Sequence, residues 1–248
     1  MLKVRVIPIL TFNGFGLVKT KQFANPRMVG NPVQAARVYN SRGVDELVFL
    51  DIFASKQKRK INLKLVSEII RECYMPVAIG GGIITIEDIN DLLKIGADKV
   101  VIKSKAITDK NFIKEAVNFF GGQCISIALD VTMNEQDYFI KNDYGLKIEL
   151  KDFIQEMVDC EVGEFVLNCV DNDGMMNGFD ITLVNFVLNL TNIPVIVVGG
   201  GGNMIHYNDL FSKTNIEAVG SASIFHFTQF TPLDIKKEIN ALGKPVRI

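Results

Sequence analysis

The chain has 248 residues, of which 48% are hydrophobic, and a formal net charge of −1 at pH 7. This balance gives no support to a general nucleic-acid or membrane-surface role, and no apolar stretch approaches the roughly 20 residues of a membrane span. The four cysteines have no CxxC spacing and no cluster has metal-ligand spacing. We therefore expect a cytoplasmic protein without a metal or cofactor.

Apolar runs of five to seven residues, rich in β-branched side chains, recur between amphipathic stretches. They do not alternate polar with apolar residues, which is typical of parallel strands buried on both faces. We predict strands near residues 4–10, 46–51, 76–80, 98–103, 124–130, 163–169, 194–198 and 217–221. We predict helices near residues 31–42, 60–73, 86–95, 110–119, 150–161, 181–190, 204–213 and 232–241. Residues 133–148 interrupt this rhythm, and apolar triplets on both sides of 142–145 predict an inserted hairpin.

Eight strand–helix units in about 250 residues favour a single α/β domain over residues 1–248, a (β/α)8 TIM barrel. An open doubly wound sheet would need an early GxGxxG turn, and the sequence has none. Helix starts carry suitable capping residues, among them Asn31-Pro32, Thr85 with Asp88, Asp109, and Thr231-Pro232.

The same construction occurs twice along the chain. A strand ending in an aspartate leads to a Pro-apolar-Gly-Gly-Gly run, and the first glycine of that run precedes a serine by 24 residues. The corresponding residues are Asp51, Gly80 and Ser104 in one copy and Asp171, Gly199 and Ser223 in the other. This repeat predicts two duplicated half-barrels, at about 1–122 and 123–248.

The active site of such a barrel lies at the carboxyl ends of its strands. Glycine turns there leave backbone N–H groups bare, and a helix start adds its dipole, so the repeat predicts two phosphate sites. Purely structural glycine turns are the alternative. The predicted sites comprise Gly81, Gly82 and Ser104, and Gly200, Gly201 and Ser223; Asp51, Lys103, Asp173 and Gly174 also lie at predicted strand ends.

Asp130 ends a predicted strand, where partial burial suits a carboxylate to general acid/base work. Capping of a loop is the alternative. The repeat spacing makes Thr11 the counterpart of Asp130, so that the two should face each other across the barrel mouth. Lys19, in a glycine-containing loop after the first strand, either closes over an anionic substrate or is solvated.

Charged residues also occur at or near the starts of four predicted strands. Because parallel strands all begin at the same end, these residues should lie at the bottom of the barrel, opposite the mouth. Two bases and two acids could form a neutral polar plug there, and unconnected surface charges are the alternative. The four residues are Arg5, Glu46, Lys99 and Glu164.

Along essentially its whole length the sequence resembles HisF, the cyclase subunit of imidazole glycerol phosphate synthase. The motifs that carry the resemblance are Asp45-Glu46-Leu47-Val48-Phe49-Leu50-Asp51-Ile52, Gly80-Gly81-Gly82-Ile83, Gly96-Ala97-Asp98-Lys99-Val100, Phe120-Gly121, Asp171-Asn172-Asp173-Gly174, Gly199-Gly200 and Ser223-Ile224-Phe225-His226-Phe227.

The resemblance implies a barrel with two phosphate sites that receives ammonia through an axial channel from a glutaminase docked on the bottom face. It implies that Arg5, Glu46, Lys99 and Glu164 form the salt-bridged channel gate. It also implies that Asp98 and Gln123 meet the glutaminase.

The mouth of the barrel departs from the family pattern. Thr11 stands where the family has the first of two acid/base aspartates, which leaves Asp130 alone. Lys103 replaces an asparagine, and Asn168 and Val198 replace a threonine and a serine. The sequence thus keeps the family's charged residues at the bottom of the barrel, where ammonia enters, and departs from the family at the mouth, where the cyclase reaction takes place.

This combination is similar to HisF paralogues of sugar-modification pathways for lipopolysaccharide. The resemblance implies a HisH-like glutaminase partner, an ATP-using amidotransferase, and conversion of an acetamido to an acetamidino group on a nucleotide sugar. Two alternatives stay open: a true histidine-pathway cyclase that tolerates Thr11, and a non-catalytic scaffold that activates the glutaminase.

Overall fold

A computed structural model describes residues 2–135 and 137–248. Within these residues the strands are β1 (Arg5–Phe12), β2 (Leu17–Lys21), β3 (Ala24–Gly30), β4 (Leu47–Asp51), β5 (Val77–Gly80), β6 (Lys99–Ile102), β7 (Ile125–Asn134), β8 (Asp137–Ile140), β9 (Glu164–Cys169), β10 (Val195–Val198) and β11 (Ala218–Ser221). The helices are α1 (Pro32–Ser41), α2 (Leu63–Arg71), α3 (Ile86–Lys94), α4 (Ser104–Thr108), α5 (Lys110–Phe120), α6 (Leu150–Val158), α7 (Ile181–Leu190), α8 (Met204–Lys213), α9 (Ser223–Phe227) and α10 (Pro232–Ala241).

Eight of the described strands form a closed parallel barrel in the order β1, β4, β5, β6, β7, β9, β10 and β11. The barrel closes where β11 pairs in parallel with β1, from Arg5 opposite Ala218 to Pro8 opposite Ser221. Helices connect successive barrel strands, so the predicted (β/α)8 TIM barrel is confirmed.

The barrel strands are buried on both faces, which explains their uninterrupted apolar runs. Side chains that point inward, such as Ile7, Val48 and Ile196, form one apolar cluster inside the barrel. Their neighbours along the strands, such as Val6 and Leu47, pack under the helices in a second cluster.

The helix starts use the expected capping residues. In α3 the Thr85 hydroxyl accepts from the Asp88 N–H at 3.1 Å, and the Asp88 carboxylate accepts from the Thr85 N–H at 2.9 Å. α10 begins with the same capping box at Thr231, and the Asn31 side chain caps α1. Because these helices begin at the carboxyl ends of the strands, the caps help to fix the loops around the barrel mouth.

Two hairpins at the barrel mouth differ from the sequence prediction. β2 and β3 form an antiparallel hairpin in what was predicted as a loop after the first strand. In the inserted segment, Tyr138 and its neighbours pair with the extended end of β7. The predicted pairing with 146–148 is present only in part, through a backbone hydrogen bond from the Ile140 N–H to the Ile148 carbonyl at 2.9 Å and a bridge between Phe139 and Glu149. The Asn142 side chain holds the loop between them by hydrogen bonds to the backbone of residues 140–146.

Two short helices occupy matched positions along the chain, and the division into two half-barrels stays a prediction. The short helices α4 and α9 begin at Ser104 and Ser223, directly after β6 and β11, at corresponding points of the two halves. In the described part of the chain, no helix combines the length and apolar character needed to cross a membrane.

Candidate functional site at the barrel mouth

A cavity of about 280 Å³ opens at the carboxyl ends of the barrel strands. Its floor includes apolar side chains of the barrel interior, such as Ile9, Val101 and Val166. Nine of the residues predicted from the sequence line it together: Thr11, Lys19, Asp51, Gly81, Gly82, Lys103, Ser104, Asp130 and Asp173. The structure therefore gathers most of the predicted mouth residues around one space large enough for a small molecule.

Asp130 faces the cavity from β7 and forms an ion pair with Lys103. The Lys103 Nζ lies 2.6 Å from Asp130 Oδ2, and the Asn168 amide lies 3.5 Å from the other carboxylate oxygen. The Oδ1 atom of Asn168 is buried without a hydrogen-bond partner among the described residues. Asp130 thus lies at the cavity as predicted, but its charge is balanced by a lysine.

Thr11 lines the same cavity from β1, with its hydroxyl directed at the hairpin. That hydroxyl donates a hydrogen bond to the backbone carbonyl of Val18 in β2. A threonine hydroxyl does not exchange a proton near neutral pH, so Thr11 cannot replace a catalytic carboxylate. In this structure it helps to fasten the hairpin to the barrel.

Lys19 is a buried residue of β2 and bridges the two halves of the barrel. Its Nζ lies 2.7 Å from Asp173 Oδ1, and the Thr20 hydroxyl donates to the other oxygen of Asp173 at 3.2 Å. Gly174 is needed here because an added Cβ would lie 2.1 Å from the Thr20 carbonyl oxygen. Burial and the nearby charge of Lys19 lower the pKa of His226, so this imidazole is neutral at pH 7.

Asp51 is held by Arg59, a residue whose specific partner the sequence did not reveal. The guanidinium binds the carboxylate through both oxygens, at 2.5 and 2.8 Å, and the Asp51 side chain is fully buried. The sequence signal was only a cluster of basic residues after the second barrel strand. Both carboxylate oxygens of Asp51 are engaged by Arg59, so this pair supports the cavity wall, and the role of Asp51 in binding substrate stays a prediction.

We expect Arg59→Ala to destabilise the fold, because it leaves a buried carboxylate unpaired. The expected loss is on the order of 3 kcal/mol, or a fall in Tm of about 6–12 °C for a chain of this size. The matched control is Arg37→Ala, which breaks an equally bidentate but exposed pair with Glu72 and should lower Tm by at most about 2 °C. Thermal unfolding followed by circular dichroism measures both, and equal Tm values for the two variants would contradict the argument.

The two predicted phosphate cradles differ in their surroundings. Gly81 and Gly82 have φ values of +126° and +68° and line the cavity together with Ser104. Gly200 has a φ of +111° and packs so closely that an added Cβ would lie 2.0 Å from the Gly178 carbonyl. Gly200, Gly201 and Ser223 are not among the described residues that line the cavity.

Ser223, at the start of α9, has an unpaired hydroxyl group: its Oγ atom is buried and has no hydrogen-bond partner among the described residues. Buried hydroxyl groups are normally paired, so an unpaired one at a helix start is consistent with a polar ligand.

At the opposite end of the barrel, the four predicted gate residues form a closed ring of ion pairs. Arg5 contacts Glu46 and Glu164, each at 2.7 Å, and Lys99 contacts the same two glutamates at 3.1 and 3.0 Å. Ser126 also donates to Glu164 at 3.2 Å. Both glutamates are buried, so the alternative of unconnected surface charges is wrong.

The ring is electrically balanced. Burial alone would lower the pKa of Arg5, but the charges of Glu164 and Glu46 and their hydrogen bonds raise it above its usual value. Each glutamate is shared between the two cations of the ring. Such reciprocal pairing limits the desolvation penalty of the buried carboxylates.

Asp98 and Gln123, the predicted partner contacts, lie at the same end as the ring. Asp98 directly precedes β6 and accepts from the Val77 N–H at 2.8 Å. Gln123 lies in the short 3-10 turn before β7. Both positions are compatible with a partner on the bottom face.

Phe23 and Lys141 also lie at the mouth of the barrel, and the sequence analysis did not single them out. The ring of Phe23, at the tip of the β2–β3 hairpin, has the ammonium of Lys103 at 5.8 Å and that of Lys141 at 6.0 Å from its centre. Lysine ammonium groups at this distance from an aromatic ring are weakly attracted to it.

Over the described residues, no group of three or more His, Cys, Asp or Glu side chains is arranged to hold a metal ion.

Comparison with known proteins decides the family. The histidine biosynthesis protein family matches residues 5–231. The imidazole glycerol phosphate synthase subunit HisF of Staphylococcus saprophyticus is 42% identical over 252 residues, covering 100% of both chains. The subunit of the same name from Streptococcus mutans is 39% identical over 251 residues, again covering 100% of both chains. The chain belongs to the HisF family.

This membership confirms the family resemblance, whereas the closer resemblance to sugar-modifying paralogues stays a prediction. At the bottom end of the barrel, the four residues that the resemblance predicted for the gate form the ion-pair ring. At the mouth, Thr11 and Lys103 stand where the resemblance led us to expect an aspartate and an asparagine.

Proposed function

We propose that this chain is the ammonia-receiving barrel subunit of a glutaminase-coupled synthase that acts on a phosphorylated substrate. The observation that carries the proposal is the closed ring of Arg5, Glu46, Lys99 and Glu164, opposite a cavity lined by aspartates. A HisH-like glutaminase docks against the bottom face, near Asp98 and Gln123, and releases ammonia into the ring.

The barrel interior favours ammonia over ammonium. Between the ring and the cavity lies an apolar cluster that includes Ile7, Val48 and Val101. A neutral molecule crosses such a region at little cost, whereas a charged ion must give up its hydration without compensation. Ammonia therefore reaches the mouth unprotonated, in the form that acts as a nucleophile.

The names of the two relatives favour one acceptor chemistry, the ring closure of imidazole glycerol phosphate synthase. In this chain Asp130 is then the single acid/base carboxylate at the mouth. Thr11 contributes no proton transfer and fastens the hairpin instead.

A second acceptor chemistry, amidation of an acetamido group on a nucleotide sugar for a surface polysaccharide, is favoured by a different observation. The mouth has lost one expected aspartate at Thr11, and Lys103 occupies the remaining one, Asp130, at 2.6 Å. In this case the barrel delivers ammonia to an acceptor that an ATP-using amidotransferase has activated. A leaving group made by that enzyme reduces the need for two carboxylates in the barrel.

Turnover of the phosphoribosyl-formimino substrate separates these candidates. The purified chain is assayed with ammonium salts, which removes the need for a glutaminase. Robust formation of the imidazole product establishes the histidine-pathway function with one carboxylate. Absence of that product, together with amidation of an acetamido sugar when the amidotransferase is added, establishes the second candidate.

A non-catalytic scaffold is tested with Asp130→Asn in the complex with the glutaminase. If the barrel only activates its partner, this variant should leave both glutamine hydrolysis and final product unchanged. A catalytic or acceptor-binding barrel should keep glutamine hydrolysis and lose product.

We expect two phosphate-sized anions to bind at the barrel mouth, one at Gly81, Gly82 and Ser104 and one at Gly200, Gly201 and Ser223. Backbone N–H groups at these turns and helix starts converge on a point that attracts negative charge. A crystal structure from phosphate or sulfate buffer measures this directly. Two empty turns at saturating phosphate would contradict the expectation.

A further inference from the structure

Three of the four aspartates that line the cavity are held in ion pairs, and these carboxylates differ in burial. Asp51 is paired with Arg59 and has a side chain 0% exposed, while Asp173 is paired with Lys19 and is 4% exposed. Asp130, paired with Lys103, is 15% exposed. Because a partly solvated ion pair is weaker than a buried one, the pair between Lys103 and Asp130 is the easiest of the three to open.

Lys103 lies next to the proposed first phosphate cradle. It directly precedes Ser104, and both line the same cavity as Gly81 and Gly82. A lysine ammonium is a compact charge on a flexible stem, so it can change partners without movement of the backbone. A phosphate dianion offers it more charge and more acceptor oxygens than a single carboxylate does.

We propose that Lys103 is a positioning residue that exchanges Asp130 for the phosphate of the substrate. In the empty cavity Lys103 holds Asp130 in an ion pair, and when phosphate occupies the cradle Lys103 moves to it. Asp130 is left beside the Asn168 amide with an unpaired oxygen that can accept a proton or a hydrogen bond. This inference rests on the phosphate site of the proposed function and assigns that site a second task, which is to release the acid/base carboxylate only when substrate is present.

The exchange explains how Asp130, whose charge is balanced by Lys103 in the empty cavity, can still take part in acid/base chemistry when substrate is bound. Lys19 and Arg59 cannot substitute for Lys103, because each is bound to a more deeply buried aspartate. Lys141 also lines the cavity, and it shares the Phe23 ring with Lys103, but it is exposed. Lys103 is therefore the cation that both contacts Asp130 and adjoins the cradle.

A crystal structure of the unaltered chain soaked with inorganic phosphate tests the exchange, because it shows whether Lys103 contacts Asp130 or the phosphate. The expected result is phosphate at Gly81, Gly82 and Ser104, with Lys103 Nζ in hydrogen-bond contact with it and beyond the roughly 4 Å limit of an ion pair from Asp130. Phosphate bound while Lys103 remains on Asp130 would overturn the exchange and leave the phosphate site intact. A cradle that stays empty at saturating phosphate overturns the phosphate site and the exchange with it.

Phosphate affinities measured by titration calorimetry give an independent test in solution. Asp130→Asn frees Lys103 and should tighten phosphate binding about threefold, whereas Lys103→Met should weaken it about tenfold. The control is Asp143→Asn, which removes another cavity carboxylate that has no ion-pair partner within residues 2–135 and 137–248. In the Lys103→Met background, the gain from Asp130→Asn should fall to that of Asp143→Asn, and an undiminished gain would overturn the exchange.

Discussion

Lys99→Ala is expected to uncouple glutamine hydrolysis from product formation in the complex with the glutaminase. The substitution removes one of the two cations that serve Glu46 and Glu164, both of which are buried. Arg5 alone cannot balance two buried carboxylates, so water should enter the ring. Ammonia then leaks or is protonated before it reaches the cavity, and we expect the product formed per glutamine hydrolysed to fall several-fold.

The same substitution should lower stability. Loss of one partner in a buried network costs on the order of 3 kcal/mol, which corresponds to a fall in Tm of about 6–12 °C. Stability and coupling must therefore be measured at a temperature where the variant is folded. Lys99→Met separates lost packing from lost charge, because methionine fills most of the space of the lysine side chain but leaves the two glutamates with one cation.

The control for this experiment is Lys94→Ala. Lys94 is an exposed residue of the last turn of α3, at the same end of the barrel but outside the ring. It should leave the ratio of product to hydrolysed glutamine unchanged. If Lys99→Ala also leaves that ratio unchanged, the ring does not gate ammonia and the proposed function loses its main support.

The ring could be predicted from sequence because a parallel barrel constrains strand starts strongly. All parallel strands begin at the same end, so charges at or near their first residues, such as Arg5 and Lys99, must gather there. The apolar runs similarly determined the barrel, since only strands covered on both faces tolerate them. The barrel and the grouping of charges at its bottom end both follow from the pattern of residues along the strands, without knowledge of side-chain conformations.

The β2–β3 hairpin escaped prediction because its turn uses unusual residues. Gln22 and Phe23 both adopt positive φ values, 51° and 64°, between the paired residues Lys21 and Ala24. Two-residue hairpin turns of this kind normally carry Asn-Gly or Gly-Gly, which are the usual sequence signal. β3 is also largely exposed and contains Pro26, so neither its burial pattern nor its composition indicates a strand.

The pairing of Lys103 with Asp130 could not be predicted for a different reason. It depends on the register between β6 and β7, where Ile102 lies opposite Ile127, and on side-chain conformations beyond the ends of that register. The sequence placed both residues at the mouth of the barrel, but it did not show that one neutralises the other. Arg59 and Asp51 illustrate the same limit, because a cluster of basic residues does not reveal which member turns inward.

Thr11→Asp is expected to raise turnover of the phosphoribosyl-formimino substrate, with ammonium salts as the nitrogen source. A carboxylate at this position restores the second proton-transfer group, and one such group contributes about 10²–10⁴ in rate. We expect the lower end of this range, because the new carboxylate would face the Val18 carbonyl to which Thr11 now donates.

Thr11→Asn is the matched control, since asparagine has the shape of aspartate and keeps a donor for Val18 but transfers no proton near neutral pH. Its turnover should equal that of the unaltered chain. A gain from asparagine as large as that from aspartate would show that the size of the side chain, and not proton transfer, limits the reaction, whereas no gain from either would place the limiting difference elsewhere in the mouth. The missing proton-transfer group is the cause only if aspartate alone accelerates the reaction, because asparagine matches aspartate in size but transfers no proton near neutral pH.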